Sequence, residues 1–397
     1  MTLPKKIKNF AKFAFSMIRI SDKSKCTGCT ACVTSCPVQC IVMRRDREGF
    51  DYPVANPDIC IGCGRCDSVC PVINPIEAVK PIAAYAAKVP DYLLHSSSGG
   101  VFPYLAAGVI SKGGVVFGAV MNPDLTIGHS EAETMDEVEA MRGSKYVQSD
   151  LYSVFDDVKA YLAEGRKVLF TGTPCQIAGL NSFLGSRSNG LLTVEVACHG
   201  VPGPGLWERY LDCLSRKYKG RITEVTFRDK SHSWVHYEFV VANEAGRFAR
   251  PYMDDPYMAL FVQNMTLRPS CYSCTARGGR SGSDITLADM WTVSRLAGQM
   301  DDDKGTSLVV ANTKAGQEAL HELKGIEVPF DAASCGNDGF AGRVEVPQRR
   351  EEFFAGYLSA KDLHSFMKGF VVRRPFHVRM YRKVRSALSR LKRRISG

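Results

Sequence analysis

At 397 residues, with 45% hydrophobic and 23% charged side chains, the chain has the composition of a folded protein of two or three domains, which excludes disorder throughout. No uninterrupted apolar run reaches the roughly 18–20 residues that cross a bilayer, and the opening stretch MTLPKKIKNFAKFAFSMIRI lacks a small-residue cleavage site. A cytoplasmic chain is expected, and in that reducing compartment its 15 cysteines point to metal or redox sites rather than disulfides.

The formal net charge of +10 is confined to one end. Residues 371–397, VVRRPFHVRMYRKVRSALSRLKRRISG, hold ten Lys or Arg and no Asp or Glu; removing those ten from 51 leaves 41 basic against 41 acidic residues. A formally neutral body has no extended basic face, so no nucleic-acid partner is expected.

In chain order, Lys5, Lys6, Lys8 and Lys12 stand first, among Phe10, Phe13 and Phe15, as a weakly basic, apolar start. Cys26, Cys29, Cys32 and Cys36 then follow a C-x2-C-x2-C-x3-C spacing ahead of Pro37, and Cys60, Cys63, Cys66 and Cys70 repeat it ahead of Pro71. Zinc sites pair two C-x2-C knuckles across a long gap, whereas three thiolates in one tight loop plus a distant fourth suit a cubane iron–sulfur cluster. Gly28, Gly62 and Gly64 let such loops turn. An α+β ferredoxin-like domain over residues 17–75, holding two [4Fe-4S] clusters, is the expectation. Its resemblance to two-cluster bacterial ferredoxins implies crossed ligation: Cys26, Cys29 and Cys32 with Cys70, and Cys60, Cys63 and Cys66 with Cys36. Cys40, four residues past the first run, reads as a buried thiol.

The proline-rich linker PVINPIEAVKP leads to a body whose apolar pattern alternates strand with helix. Val154, Phe155, Val158 and Leu162 mark a helix face, Gly165 ends it, Val168 to Phe170 form a buried strand, and Gln176 to Leu184 form the next helix. LLTVEVACHG supplies another strand. The body is therefore expected to be α/β, divided at 82–165 and 166–345, with ligands where strands end and helices begin. Two such junctions are TGTPCQ (residues 171–176) and the serine–glycine loop of HSSSGGVF, both suited to anions. Cys271 and Cys274 form C-x2-C in RPSCYSC, while Cys175 and Cys198 sit at strand ends, so four distant thiols can meet at one centre. Cys213 and Cys335 have no partner spacing and read as structural.

Residues 346–397 are expected to form a helical basic tail. Met380, Val384, Leu388, Leu391 and Ile395 give its last part a narrow apolar stripe, which suits peripheral docking on an anionic membrane surface or packing on the body.

The succession SSSGGVF, GGVVFGA, SKYVQS, FTGTPCQIAGL, CHGVP, FRDK, RPSCYSC and SDITLADMW resembles the coenzyme F-420 hydrogenase/dehydrogenase beta-subunit family, from about Cys26 to about Trp291, with a looser echo in GTSLVVANTKAG. The resemblance implies an FAD-binding body and a third [4Fe-4S] cluster on Cys175, Cys198, Cys271 and Cys274. It further implies a redox partner such as a ferredoxin, and an organic substrate or deazaflavin coenzyme F-420. Many bacterial members lie in polysaccharide-synthesis loci. Two departures are visible: Ala288-Asp289-Met290-Trp291 stands where many members read Gly-Asp-Phe-Trp, and Ala276 and Arg277 follow the C-x2-C pair where lysine is frequent.

On this basis Ser97, Ser98, Gly99, Gly100 and Lys145 are candidates for the FAD phosphate and ribose side, and Thr171, Thr173 and Gln176 for the ring side. His199 and Asp289 are candidate catalytic groups, and Arg228, Lys230 and Arg268 candidate substrate ligands. The expected function is a flavin-dependent iron–sulfur oxidoreductase; the alternative is a non-catalytic electron-transfer subunit of a larger redox complex.

Overall fold

The computed structural model describes residues 18–185 and 188–372. The basic start and the cationic stripe of residues 380–395 lie outside them.

In the N-terminal unit each cysteine run turns into one short helix, Ala31–Thr34 and Arg65–Ser68, entered through a left-handed residue, Thr30 (φ 61°) and Gly64 (φ 70°). Between the runs, β1 (Ile41–Arg45) and β2 (Asp51–Ala55) form an antiparallel hairpin. Asp46 shapes its turn by accepting from the backbone N–H groups of Glu48 and Phe50.

The body is built on a mixed eight-stranded sheet. Its strands are β3 (Ala83–Ala87), β4 (Val115–Met121), β5 (Ile127–Ala132), β6 (Val168–Gly172), β7 (Leu191–Val196), β11 (Ile285–Asp289), β12 (Ser307–Ala311) and β13 (Gly325–Glu327), in the spatial order β13-β3-β12-β11-β7-β6-β4-β5. The central block β4, β6, β7 and β11 is parallel. Such strands are covered on both faces, which is why Val168, Leu169 and Phe170 are all fully buried without alternation. β12 is antiparallel to both β11 and β3, with Ser307 opposite Asp289 and Ala87. The carboxyl ends of β3, β6, β7 and β11 therefore leave the sheet at one edge, and the loops that follow carry the serine–glycine motif, Cys175, Cys198 and Trp291.

A separate antiparallel sheet, β8 (Glu224–Asp229), β9 (Glu238–Asn243) and β10 (Gly246–Pro251), joins the helices Pro204–Lys217 and Pro256–Val262 around Trp207, Tyr257 and Phe227. Phe50 and Tyr52 of the hairpin belong to the same cluster, so the ferredoxin-like unit shares the body's core.

Residues 346–372, expected within a basic tail, join that core too. Helices Arg350–Gly356 and Leu363–Lys368 bury Phe353, Phe354, Tyr357, Leu363 and Met367 against it. Phe353, Phe354 and Tyr357 are apolar rings at i, i+1 and i+4, a pattern the cationic composition further on obscures.

Among the described residues no helix is long and apolar enough to cross a membrane.

Candidate functional site

The N-terminal thiols sort into two cavities. One is lined by Cys26, Cys29, Cys32 and Cys70 among apolar groups such as Ile18, Met43 and Pro53. The other is lined by Cys36, Cys60, Cys63 and Cys66, with Cys40, Val38 and Ile61. Each cavity thus takes three sulfurs from one run and the last sulfur of the other. Burial pushes the Cys29 thiol up to about 11, with Cys26 and Cys70 adding repulsion, and raises Cys32 further. Four thiolates in so apolar a place need cations among them, which the irons of a cluster supply; an all-sulfur donor set fits that group. Among the described residues no three His, Cys, Asp or Glu side chains are grouped tightly enough for a single metal ion. Cys40 is buried, its Sγ 3.5 Å from that of Cys36, to which its backbone N–H also donates at 3.4 Å.

A third thiol group forms at the sheet edge. Cys175 opens the helix Pro174–Leu184 beyond β6, Cys198 follows β7, and Cys271 and Cys274 come from the turn Pro269–Ser273 and its end. These four sense one another's charge: burial first, then Cys274 and Cys198, raise Cys175 well above a normal thiol, and burial with Cys271 pushes Cys198 up to about 12. Thr173 Oγ1 lies 3.3 Å from Cys175 Sγ. Arg277, 2% exposed, reaches the same group: its guanidinium donates to the Cys271 carbonyl and to the Cys274 side chain, and to the Asp338 carbonyl at 3.2 Å. A buried cation among four thiols is the arrangement an anionic metal–sulfur centre requires.

The first and third thiol groups are neighbours. A Cβ built on Gly179, one helical turn beyond Cys175, would stand 2.8 Å from Cys29 Cβ and 3.0 Å from its Sγ. The turn Lys23–Lys25 packs on the turn Pro269–Ser273. Arg268, expected at a substrate pocket, joins this seam instead. Fully buried, it donates from Nε to the Cys26 carbonyl (2.8 Å), from Nη2 to the Asp51 carbonyl (2.9 Å) and Cys26 Sγ (3.7 Å), and from Nη1 to Gln148 Oε1 (2.9 Å). Its guanidinium also lies 4.2 Å from the Tyr52 ring centre. Its guanidinium is thus bonded to the Cys26 loop, to β2 and to Gln148.

The other expected residues line the same sheet edge. Asp289, at the end of β11, accepts from Arg228 Nη1 at 2.5 Å and from Trp234 Nε1 at 3.3 Å. Lys230 Nζ donates to the carbonyls of Ser98 (2.9 Å) and Lys304 (2.7 Å), tying the serine–glycine loop to the loop after β8. Burial lowers Lys230 to about 8. His199 follows Cys198, packs edge-on against Phe261 and lies 3.9 Å from an Asp338 carboxylate oxygen, while its buried Nε2 has no partner; burial lowers its pKa.

Within the serine–glycine loop the polar groups are largely engaged. Ser97 Oγ accepts from the Ser144 N–H (2.7 Å), Ser98 Oγ donates to the Thr306 carbonyl (3.0 Å), and the Gly99 N–H donates to Ser307 Oγ (2.9 Å). Gly99 has no room for a side chain, since a Cβ would stand 2.4 Å from the Ala87 carbonyl oxygen; Gly100 (φ +82°) is the left-handed entry to the helix Val101–Ile110. Gln176 is a capping partner of Thr173, and its Nε2 donates to Ser149 Oγ at 2.8 Å, so it faces the fold rather than a flavin ring. Lys145 Nζ donates to the carbonyls of Ala140 (2.8 Å) and Arg142 (2.9 Å), two of its three donors. Burial lowers it to about 7. His129, absent from the sequence expectations, bonds the Thr171 carbonyl through Nε2 at 3.0 Å, and its buried Nδ1 has no partner.

Against solved structures, the chain aligns with one from the "Xenon derivatization of the F420-reducing [NiFe] hydrogenase complex from Methanosarcina barkeri", at 16% identity over 72% of this chain and 95% of that one, with a TM-score of 0.46. No curated protein matches. Residues 25–74 match the 4Fe-4S dicluster domain, and residues 165–328 match the C terminus of the coenzyme F420 hydrogenase/dehydrogenase beta subunit. The thiol-bearing loops of both units fall within these segments, so the chain joins a 4Fe-4S dicluster domain to a segment that matches the C terminus of the coenzyme F420 hydrogenase/dehydrogenase beta-subunit family.

Proposed function

We propose that this protein is a flavin-dependent oxidoreductase with three [4Fe-4S] clusters, held by Cys26, Cys29, Cys32 and Cys70, by Cys36, Cys60, Cys63 and Cys66, and by Cys175, Cys198, Cys271 and Cys274. The observation that carries the reading is the gathering of the last four thiols with Arg277, one helical turn from Cys29. Clusters so placed supply single-electron transfer, and FAD supplies the exchange between single electrons and hydride. The chain's own part is to seat these groups, keep water from them and hold charge nearby. Cys63 and Ile61 are exposed at the second cavity, which suits it to meet an electron-carrying partner protein. Apolar walls shield the first cavity, and Arg277 offsets negative charge at the third group.

FAD finds a less complete set of free groups. Lys145, Thr171, Thr173 and the Gly99–Gly100 turn would hold it, with the charge of Lys145 felt at His129, whose ring bonds the Thr171 carbonyl. Because Ser97, Ser98 and Gln176 already have protein partners, the second reading, an electron-transfer subunit without its own flavin, keeps its place.

Iron, sulfide and flavin measured together on anaerobically purified chain test the proposal. About twelve irons and one flavin per chain are expected; about eight irons without flavin would leave only the ferredoxin-like pair. Cys70→Ser is expected to remove the same spectroscopic species as Cys26→Ser, and Cys36→Ser the other. Turnover of organic acceptors by the isolated chain with a reduced viologen separates the enzyme from the subunit.

A further inference from the structure

Arg228 is buried to all but 6% of its side chain, yet it uses only one edge of its guanidinium. Nη1 meets Asp289, while Nε and Nη2 are buried with no hydrogen-bond partner. Those two atoms form the side-on fork that matches the two oxygens of a carboxylate or phosphate. Leaving two donors of a buried cation unmatched is costly, and a native fold keeps such a group where a ligand completes it.

The surroundings add a second, independent observation. Trp291 is 43% exposed although it is a large aromatic side chain, and it lies flat on buried Trp234 with ring centres 4.9 Å apart and planes at 16°. Trp234 in turn donates to the Asp289 carboxylate. The Arg228 guanidinium lies 5.7 Å from the Trp291 ring centre and 4.7 Å from that of Tyr237, with Tyr146 close enough to sense its charge. An exposed indole held rigid by a second indole, beside an incompletely used guanidinium, is a platform for a ring with an anchor for its anionic group.

We propose that Arg228 and Trp291 form the binding site for an organic anion, a carboxylate or phosphate ester carried on a ring that lies on Trp291. Asp289 fixes the orientation of the guanidinium and Trp234 fixes the platform. Lys230, with two carbonyl partners, positions the neighbouring loops rather than the ligand. The inference deepens the oxidoreductase reading by naming its substrate class, and it is tested by binding alone, so its failure and the failure of that reading are distinguishable.

The experiment is ligand-observed saturation-transfer NMR on the anaerobically purified full chain, with phenyl phosphate and benzoate as probes, and inorganic phosphate, acetate and benzyl alcohol as the ring-free and charge-free comparisons. Phenyl phosphate or benzoate is expected to bind saturably with a dissociation constant of about 1 mM, in the range for so small a ligand. Arg228→Lys, which keeps the charge but removes the fork, is expected to weaken binding about tenfold. Trp291→Ala, a change at an exposed position, is expected to abolish the preference for phenyl phosphate over inorganic phosphate. No saturable binding of either aromatic anion, equal binding of benzyl alcohol, or binding unchanged in both variants overturns the proposal. Loss with Trp291→Ala carries the test if Arg228→Lys does not fold.

Discussion

Gly179 and Cys29 touch across the seam between the two units: a Cβ at Gly179 would stand 2.8 Å from Cys29 Cβ. The helix Pro174–Leu184 therefore approaches the first cavity as closely as backbone allows, and only glycine permits it. Gly179→Ala is expected to destabilise the protein by about 1–3 kcal/mol, as overpacking does, and to release iron from the first thiol set. The control is Gly108→Ala in the helix Val101–Ile110, where a Cβ meets nothing within 4 Å. That change should stabilise by about 0.5–1 kcal/mol. Urea unfolding and iron content of the two variants check the pair.

Arg277 places a positive charge and hydrogen-bond donors against Cys271 and Cys274. Both effects favour the more negative, reduced state of a cluster bound there. If the proposed third cluster is bound at these thiols, Arg277→Gln is expected to lower its midpoint potential by about 60 mV or more, equivalent to ~1.4 kcal/mol for one electron, and to leave the ferredoxin-type pair unchanged. A redox titration followed by electron paramagnetic resonance reads the shift. Unchanged potentials throughout would show that the guanidinium only braces the turn through the Cys271 and Asp338 carbonyls.

How much of this was legible in the sequence varies with range. The two ferredoxin-type runs are local patterns, since the spacing itself forms each loop, and the helix–strand–helix order around residues 154–184 follows from apolar periodicity. The third thiol group draws on three separate segments: strand-end positions allow its four thiols to meet, and the resemblance to a family implies that they ligate one cluster. A long side chain reports nothing of its direction in sequence: Arg268 crosses to the Cys26 loop, 242 residues away. Gln176 looked like a ligand for the same reason that it is a good capping partner, a polar side chain at the third position of a helix. The Trp234–Trp291 stack joins residues 57 apart by sequence number, with no periodic signal to announce it.

Arg350 bonds both oxygens of Glu48, at 2.6 and 3.1 Å, and also meets Tyr272 Oη and the Leu267 carbonyl. It thereby fastens the β1–β2 turn to the loop ahead of Cys271. Glu48→Ala leaves a side chain only 9% exposed without its counter-charge and is expected to cost about 3 kcal/mol, the low end for breaking a buried pair. A chain ended after Val372 keeps Phe353, Tyr357 and Met367 in the core and is expected to retain its iron. One ended before Arg349 exposes Phe50 and Trp207 and is expected to aggregate. Solubility and iron content of the two truncations, with the unfolding midpoint of Glu48→Ala, decide the point.

His129, on β5 and bonded to the Thr171 carbonyl of β6, gives the fold an acid-sensitive position. Burial depresses its pKa from 6.5 to about 4, with the charge of Lys145 a smaller contributor. Between those values the unfolded chain binds a proton that the folded chain does not, so stability rises with pH through this window and is lost on acidification. From pH 7 to pH 5 the loss attributable to this side chain is about 2 kcal/mol. His129→Gln, which keeps an N–H to reach the Thr171 carbonyl but does not titrate, is expected to flatten the pH dependence by that amount. Urea midpoints of both proteins at pH 5 and pH 7 provide the comparison, and parallel slopes would mean that protonation at His129 is absorbed by the fold without cost.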